Sequence, residues 1–380
     1  MTRYRRVLIP ALVVVVWAAA AAAVPASRIA TDPLPAKLTD QEYWNLIEKC
    51  SEPDGYFQSD NLVSNEHTFQ YVVPSLKKAT RPGGVYLGVA PDQNFTYMLA
   101  VAPKMAFIVD IRRGNLHTQL MYKAVFELSA DRAEFVSRLF SKKRPAGLDA
   151  KSSAQDIFAA YLSVRTDDDA VYQGNLKAIK EHLTKKHGFG LSGDDLRGIE
   201  YVYWNFYWYG PSIIYSSKQG GGSMFNSSYP SYADLMVAND GQGQNRSYLA
   251  NEENFRFMKD FEEKNLLVPI VGDFAGPKAL RAVGQYIRDH GAVISAFYTS
   301  NVEQYLFQNG VYRGFYENVA TLPVDEMSTI IRSVSSRYGY QGTMLAADGR
   351  GSALDPIAAL VKDFQAGKIA SYYDVNARSK

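Results

Sequence analysis

The sequence predicts an α/β protein built on a doubly wound, mostly parallel sheet. Three observations carry this. Between residues 81 and 144, a short apolar run, a helix, a second apolar run and two amphipathic helices follow one another. The same rhythm returns after residue 254. Between them lies a stretch rich in helical patterns and in Gly, Ser and Asn loops. Strands buried on both faces read as continuous apolar runs, and each parallel crossover needs a connecting helix, so this alternation is what such a sheet requires.

Taken in order, Arg3, Arg5 and Arg6 precede an apolar run from Val7 to Val24, with Pro25, Ala26 and Ser27 after it. A basic start, an apolar middle and small residues at the exit describe a secretory signal peptide. The run is also long enough to span a bilayer uncleaved. Either reading keeps the arginines on the cytoplasmic side and places the body outside the cytoplasm, exported or anchored by residues 7–24. Residues 31–80 form a helical lead-in: Thr39-Asp40-Gln41-Glu42 starts one helix, and Glu66 to Lys78 makes another interrupted near Pro74.

Residues 81–144 are the first half of the Rossmann-like body. Val85 to Ala90 is a buried strand, Phe95 to Val101 a helix, and Ala106 to Val109 a strand ending at Asp110. Leu116 to Phe126 and Arg132 to Phe140 are helices. Residues 145–254 are an insertion with helices near 153–163, 170–187 and 193–208 and mobile loops at Ser216 to Ser223 and Asn239 to Ser247. Residues 255–340 resume the body. They hold strands Leu267 to Val271 and Ala292 to Tyr298, helices Pro277 to His290 and from Val302, and a short apolar element at Thr329 to Arg332. The tail, 341–380, carries a helix at Asp355 to Ala366.

Composition narrows the function. A net charge of +2 supplies no global field for nucleic acid. Lys142-Lys143-Arg144 and Lys185-Lys186 are short solvated faces. The single cysteine, Cys50, excludes an internal disulfide and reads as a small buried hydrophobe. No HExxH, Cys/His cluster or GxSxG is present. His182 and His187 lie five apart, off the spacing that shares one α-helical face, and read as surface residues, so no metal is expected. The aromatic run from Tyr201 to Tyr209 reads as core with an exposed ring or two, against a substrate wall or a lipid contact.

In doubly wound sheets, ligands bind beyond the carboxyl ends of the strands at the switch point. That rule selects Ala90, Pro91, Asp92, Gln93 and Asn94 after the first strand, Asp110 after the second, Gly272 and Asp273 after the third, and Thr299, Ser300 and Asn301 after the fourth; Gly88 is the single glycine at the first turn, and Tyr305 is the aromatic that follows the last set. Asp110 is placed to accept from two ribose hydroxyls; a helix cap or a pair with Arg112 or Arg113 is the alternative. Ser300 and Asn301 line a pocket rim or cap the following helix. Gly55 to Glu66 folds over the site as a lid, or caps a helix through Ser64 or Asn65.

Tyr86-Leu87-Gly88-Val89, Phe107 to Ile111, Asn115 to Lys123 and Phe135 to Phe140 resemble class I S-adenosylmethionine-dependent transferases, and more narrowly the betaine-lipid aminocarboxypropyltransferase branch. Ser300-Asn301-Val302 is similar to that branch's late strand end. From Ser51 onward the chain also resembles an uncharacterised bacterial family with a Ser51 to Phe57 and Asp60 to Glu66 opening and a Val271 to Arg281 and Ser300 to Leu306 close. The departure is Ala90-Pro91-Asp92-Gln93, where a glycine-rich loop is expected. The resemblance implies S-adenosylmethionine as cofactor. Asp110 would hold the ribose, Gly88, Asp92 and Gln93 the methionine part and Asp273 the adenine, with Ser300, Asn301 and Tyr305 at the reacting centre. The acceptor is a small molecule or lipid, and transfer of a methyl or of an aminocarboxypropyl group stays open. The rival is an extracytoplasmic binding or scaffold protein on an inactive transferase-like fold, which the N-terminal segment favours because this cofactor is made in the cytoplasm. A hydrolase using Asp92, Asp110 or Asp273 is a third reading.

Overall fold

The computed structural model describes residues 33–164, 169–217, 229–342, 345–346 and 349–379. The signal or anchor segment and the Gly220-Gly221-Gly222 run lie outside them. Among the described residues no helix is long and apolar enough to cross a membrane. From Asp32 onward the chain forms one compact unit, so the sheet halves, insertion and tail share a single body.

Helix α1 (Asp40–Cys50) opens with a reciprocal capping box between Thr39 and Glu42. A short 3₁₀ turn leads into α2 (Val73–Ala79); Pro74 lies in its first turn, where no backbone donor is lost, so it starts this helix rather than interrupting one. Then follow β1 (Val85–Gly88), α3 (Gln93–Val101), β2 (Met105–Asp110), α4 (Arg113–Leu128) and α5 (Arg132–Leu139). The insertion supplies α6 (Ala154–Leu162), α7 (Asp169–Glu181) with a π-helical turn at His182–Lys186, α8 (Gly193–Tyr209) and α9 (Tyr232–Val237). After it come α10 (Glu252–Glu263), β3 (Leu267–Val271), α11 (Ala279–Asp289), β4 (Ile294–Ser300), α12 (Val302–Gln308), α13 (Tyr312–Ala320), β5 (Thr329–Ser335), β6 (Arg350–Pro356), α14 (Ile357–Gln365) and α15 (Tyr372–Arg378).

The six strands lie in the order β3-β2-β1-β4-β5-β6, parallel except for β6, which runs antiparallel to β5. Strands β1, β2 and β3 are buried throughout, as their unbroken apolar runs require. The order reverses between β1 and β4. Crossovers on a parallel sheet are right-handed, so the helices between β1, β2 and β3 cover one face and α11, after the reversal, covers the other. Packing agrees: α4 meets α8 and α10, whereas α11 meets α13, which meets α14.

Several expectations are corrected. The edge strand β6 and helices α9, α13 and α15 are not among the elements the sequence predicts. The late helix starts at Ile357 because Arg350–Pro356 is strand. Asn239 to Ser247 is a pinned loop: Asp240 accepts from Gln242 N and Gln244 N at 2.9 and 3.1 Å and pairs with Arg246. Lys142 is buried, its ammonium bonded to the Val164 carbonyl, because α5 ends against the insertion. His182 and His187 are not surface residues: their side chains are 8% and 6% exposed. In the aromatic run, Tyr203, Phe206 and Tyr207 are core and Tyr201, Trp204 and Trp208 exposed. Cys50 is buried, and burial pushes its thiol up to about 11.

The β5–β6 edge is held by one buried guanidinium. Arg332 on β5 donates to Glu303 on α12 (2.7 Å), Asp355 on β6 (2.8 Å) and Ser379 (2.9 Å). Removing the cation leaves buried Glu303 with only the Tyr316 hydroxyl, while Asp355 keeps Arg378. Arg332→Met should therefore cost about 3–5 kcal/mol in urea unfolding; a loss below about 1 kcal/mol would show that this network does not secure the edge.

Candidate functional site

At the switch point, the carboxyl ends of β1 to β4 enclose a cavity of about 150 Å³. Asp110 and Ile111 line it from β2, Gly272, Asp273 and Phe274 from β3, Tyr298, Ser300 and Asn301 from β4, and Val89, Ala90 and Pro91 from β1. The segment Tyr56 to Asn65 forms much of the remaining wall. Phe57 packs edge-on against Tyr305 with ring centroids 4.9 Å apart. A second, polar cavity of about 450 Å³ adjoins the first and reaches His67, Arg337 and Arg350. The two share Asn65, Tyr215, Asn301 and Tyr305 as common wall.

Of the residues selected from sequence, Gln93, Asp110, Asp273, Ser300, Asn301 and Tyr305 converge on the inner cavity. Asp110 Oδ1 accepts from the Arg112 amide at 2.9 Å and lies 3.5 Å from Arg112 Nε, so its alternative reading as the partner of Arg112 is realised at that oxygen. No described residue donates to Asp110 Oδ2. Asp273 Oδ1 accepts from Ala275 N at 2.9 Å. Its own amide donates to Glu52, whose carboxylate also takes the Lys278 and Ala279 amides at the start of α11. Neither Ser300 nor Asn301 caps α12 through its side chain.

Gly88 and Asp92 do not line the cavity. The βα turn after β1 is closed from within by Asn94, whose amide donates to the carbonyls of Val89, Ala90 and Pro91 at 2.8, 3.1 and 2.7 Å. A Cβ added at Gly88 would overlap Asn94 Oδ1. The glycine thus makes room for a side chain that fills the turn. Asp92 is fully buried, accepts from the Ser64 amide at 3.3 Å and leaves Oδ2 without a partner. Burial pushes its carboxyl up to about 7, against the lowering effect of that amide.

Sequence reading places Glu66 at the end of the lid segment and gives it no partners. Its Oε1 accepts from Tyr298 OH and Ser300 Oγ, both at 2.8 Å. Its Oε2 accepts from Gln93 Nε2 at 3.1 Å and Ser352 Oγ at 3.0 Å. One carboxylate thus joins the lid segment to α3, β4 and β6. Gln93 is fully engaged, since its amide nitrogen also reaches Tyr97 OH at 2.8 Å and its oxygen takes the Ser64 hydroxyl. A lone Glu ahead of an aromatic turn carries no local signal for this.

Six non-glycine residues adopt positive φ among the described residues, and three of them, Asn61 (44°), Ala90 (63°) and Ser300 (49°), line this cavity. Left-handed backbone costs an L-residue about 1–2 kcal/mol and concentrates at functional sites.

The chain belongs to the family described as Domain of unknown function (DUF7790), whose profile matches residues 61–189 and 224–366. The match covers both halves of the sheet and much of the insertion, and it begins at the lid. A search of curated proteins returned no match.

Two outcomes follow from this geometry. Gly88→Ala displaces the Asn94 amide and takes its donor from the Val89 carbonyl, while Ala90 keeps Gln119 and Pro91 keeps the Asn94 backbone N–H, so it should lower stability by about 1–3 kcal/mol in chemical denaturation; wild-type stability would mean the turn rearranges freely. For Asp92 the folded carboxyl titrates above its unfolded value, so its stabilising contribution is complete below about pH 4 and lost as pH rises to about 7. Asp92→Asn should remove that slope, and unfolding curves of the two proteins should diverge across this window; parallel curves would contradict the burial argument.

Proposed function

We propose that the two adjoining cavities are the donor and acceptor halves of a small-molecule transferase that uses S-adenosylmethionine. The observation that carries this is the pair of acids, Asp110 and Asp273, at the ends of adjacent strands β2 and β3 in the inner cavity. An acid beyond β2 suits two ribose hydroxyls and one beyond β3 suits an exocyclic amine, with Val63, Val89, Phe274 and Leu306 offering apolar surface to the base.

The donor supplies a carbon made electrophilic by a sulfonium. The chain's part is to bind, orient and exclude water, because such transfer needs mainly proximity and alignment. Asp110 Oδ2 and Asp273 hold the nucleoside end. Asn301 and Tyr305, in the common wall, stand between the two chambers and position the acceptor. The outer chamber takes a polar acceptor. The fit is to the nucleoside: Asn94 fills the β1 turn and Gln93 is fully bonded, so neither cradles the amino-acid end. At about 150 Å³ the inner cavity is below the roughly 300 Å³ at which drug-sized ligands are usually accommodated. Entry of the whole cofactor therefore requires the Tyr56 to Asn65 segment to lift. A methyl or an aminocarboxypropyl group is the cargo, and residues 7–24 export or anchor the body.

The sealed β1 turn favours a second reading, a binding or scaffold protein that holds a nucleoside without transfer. Calorimetry with S-adenosylmethionine and with adenosine separates the two. The transferase reading expects both to bind, with Asp110→Ala weakening each by about 30- to 100-fold, the worth of charge-assisted hydrogen bonds of about 2–3 kcal/mol. Binding of adenosine alone supports the second reading. Absence of both, or equal affinity in Asp110→Ala, overturns the nucleoside site.

A further inference from the structure

Away from the switch point, His182, His187 and Glu127 converge beneath α1. His182 Nε2 and His187 Nε2 each lie 2.8 Å from the same oxygen, Glu127 Oε2, and the three atoms fall within 4.8 Å of one another. The side chains are 8%, 6% and 1% exposed. An α-helix would set residues five apart on different faces. Here the turn His182–Lys186 is π-helical, closed by the His187 amide on the His182 carbonyl at 3.1 Å, and the imidazole centroids stand 5.0 Å apart. Such π turns occur mostly as local features, often at functional sites.

The surroundings match what a metal-binding imidazole needs. His187 presents Nδ1 to Asp40 Oδ1 at 2.7 Å, and Asp40 is itself held by Asn265 Nδ2 at 2.9 Å. A carboxylate on the far nitrogen fixes the tautomer that leaves Nε2 free to ligate. Glu127 Oε1 is paired with the buried Lys123 at 2.8 Å, which leaves Oε2 as the converging oxygen. Lys186, 3.3 Å from Oε2, is 60% exposed and has solvent to move into.

We propose that Glu127, His182 and His187 form a binding site for a divalent transition metal of the zinc class, with Asp40 as the group that orients His187. Two imidazole nitrogens and one carboxylate oxygen are ligands such ions take at about 2.0–2.2 Å. The metal replaces the protons now shared between each ring and Glu127, and the 2.8 Å separations open by about half an ångström to a tetrahedral edge of about 3.3 Å. The ion ties the start of α1, the end of α4 and the π turn together. The site is independent of the proposed transferase reading.

The test uses the full chain after chelator treatment, titrated with Zn²⁺ and with bound metal counted by mass spectrometry. One zinc per chain is expected. Glu127→Gln and His182→Gln should weaken binding by more than about 100-fold, and Asp40→Asn by about 10- to 100-fold. No zinc uptake, or unchanged affinity in folded His182→Gln, overturns the site. Where a variant does not fold, zinc K-edge absorption of the unmutated chain decides: two imidazoles in the first shell support the assignment, and a shell without imidazole overturns it.

Discussion

The carboxylate of Glu66 is the interaction on which the candidate site depends. Four donors from α3, β4 and β6 meet it. Those elements come from both halves of the sheet and from its antiparallel edge. Glu66 belongs to none of them; it sits in the segment that crosses the carboxyl ends of the strands. Hydrogen bonds to a charged acceptor are roughly twice as strong as neutral ones. The segment is thereby drawn down onto the switch point, where it separates a small inner chamber from a larger polar one. Without that anchor, the crevice left by the reversal of strand order has no roof.

The turn after β1 shows a second constraint. A nucleotide-binding sheet commonly leaves backbone exposed there for a ligand. This chain spends its glycine on Asn94, which satisfies three carbonyls internally. Ala90 then takes a left-handed conformation, as Ser300 does across the switch point. Ligand recognition in the inner cavity therefore falls to Asp110 and Asp273 rather than to backbone. Membership of DUF7790 spans these features without assigning them a role.

Buried charge organises two other regions in the same manner. Arg332 joins β5, β6, α12 and the C-terminal residues, and Glu127 joins α4, the π turn and, through His187 and Asp40, α1. In both, a group that would be costly alone becomes a fixed point because every neighbour is a partner. The two clusters differ in chemistry. Arg332 is a cation among carboxylates. Glu127 gathers two imidazoles whose second nitrogen, in His187, is already oriented.

Sequence by itself determined the central parallel strands of the sheet. Unbroken apolar runs ending in Asp110, Gly272-Asp273 and Ser300-Asn301 marked β2, β3 and β4, and six of the eight residues assigned to the site line the cavity. It also marked α1 from its cap and α4 from its periodicity. These signals act over a few residues, so they are readable from a few residues. Strand β6, with Arg, Gly, Ser and Asp in it, carries no such period; its place is set by pairing with β5 and by Arg332. Glu66 has no pattern of its own because its partners lie 27 to 286 residues away. His182 and His187 were misplaced because α-helical spacing was assumed where the helix widens to a π turn, a choice made by packing against α1 and α4. What only tertiary structure decided is which distant polar groups meet, since that depends on loop paths and burial that no local periodicity encodes.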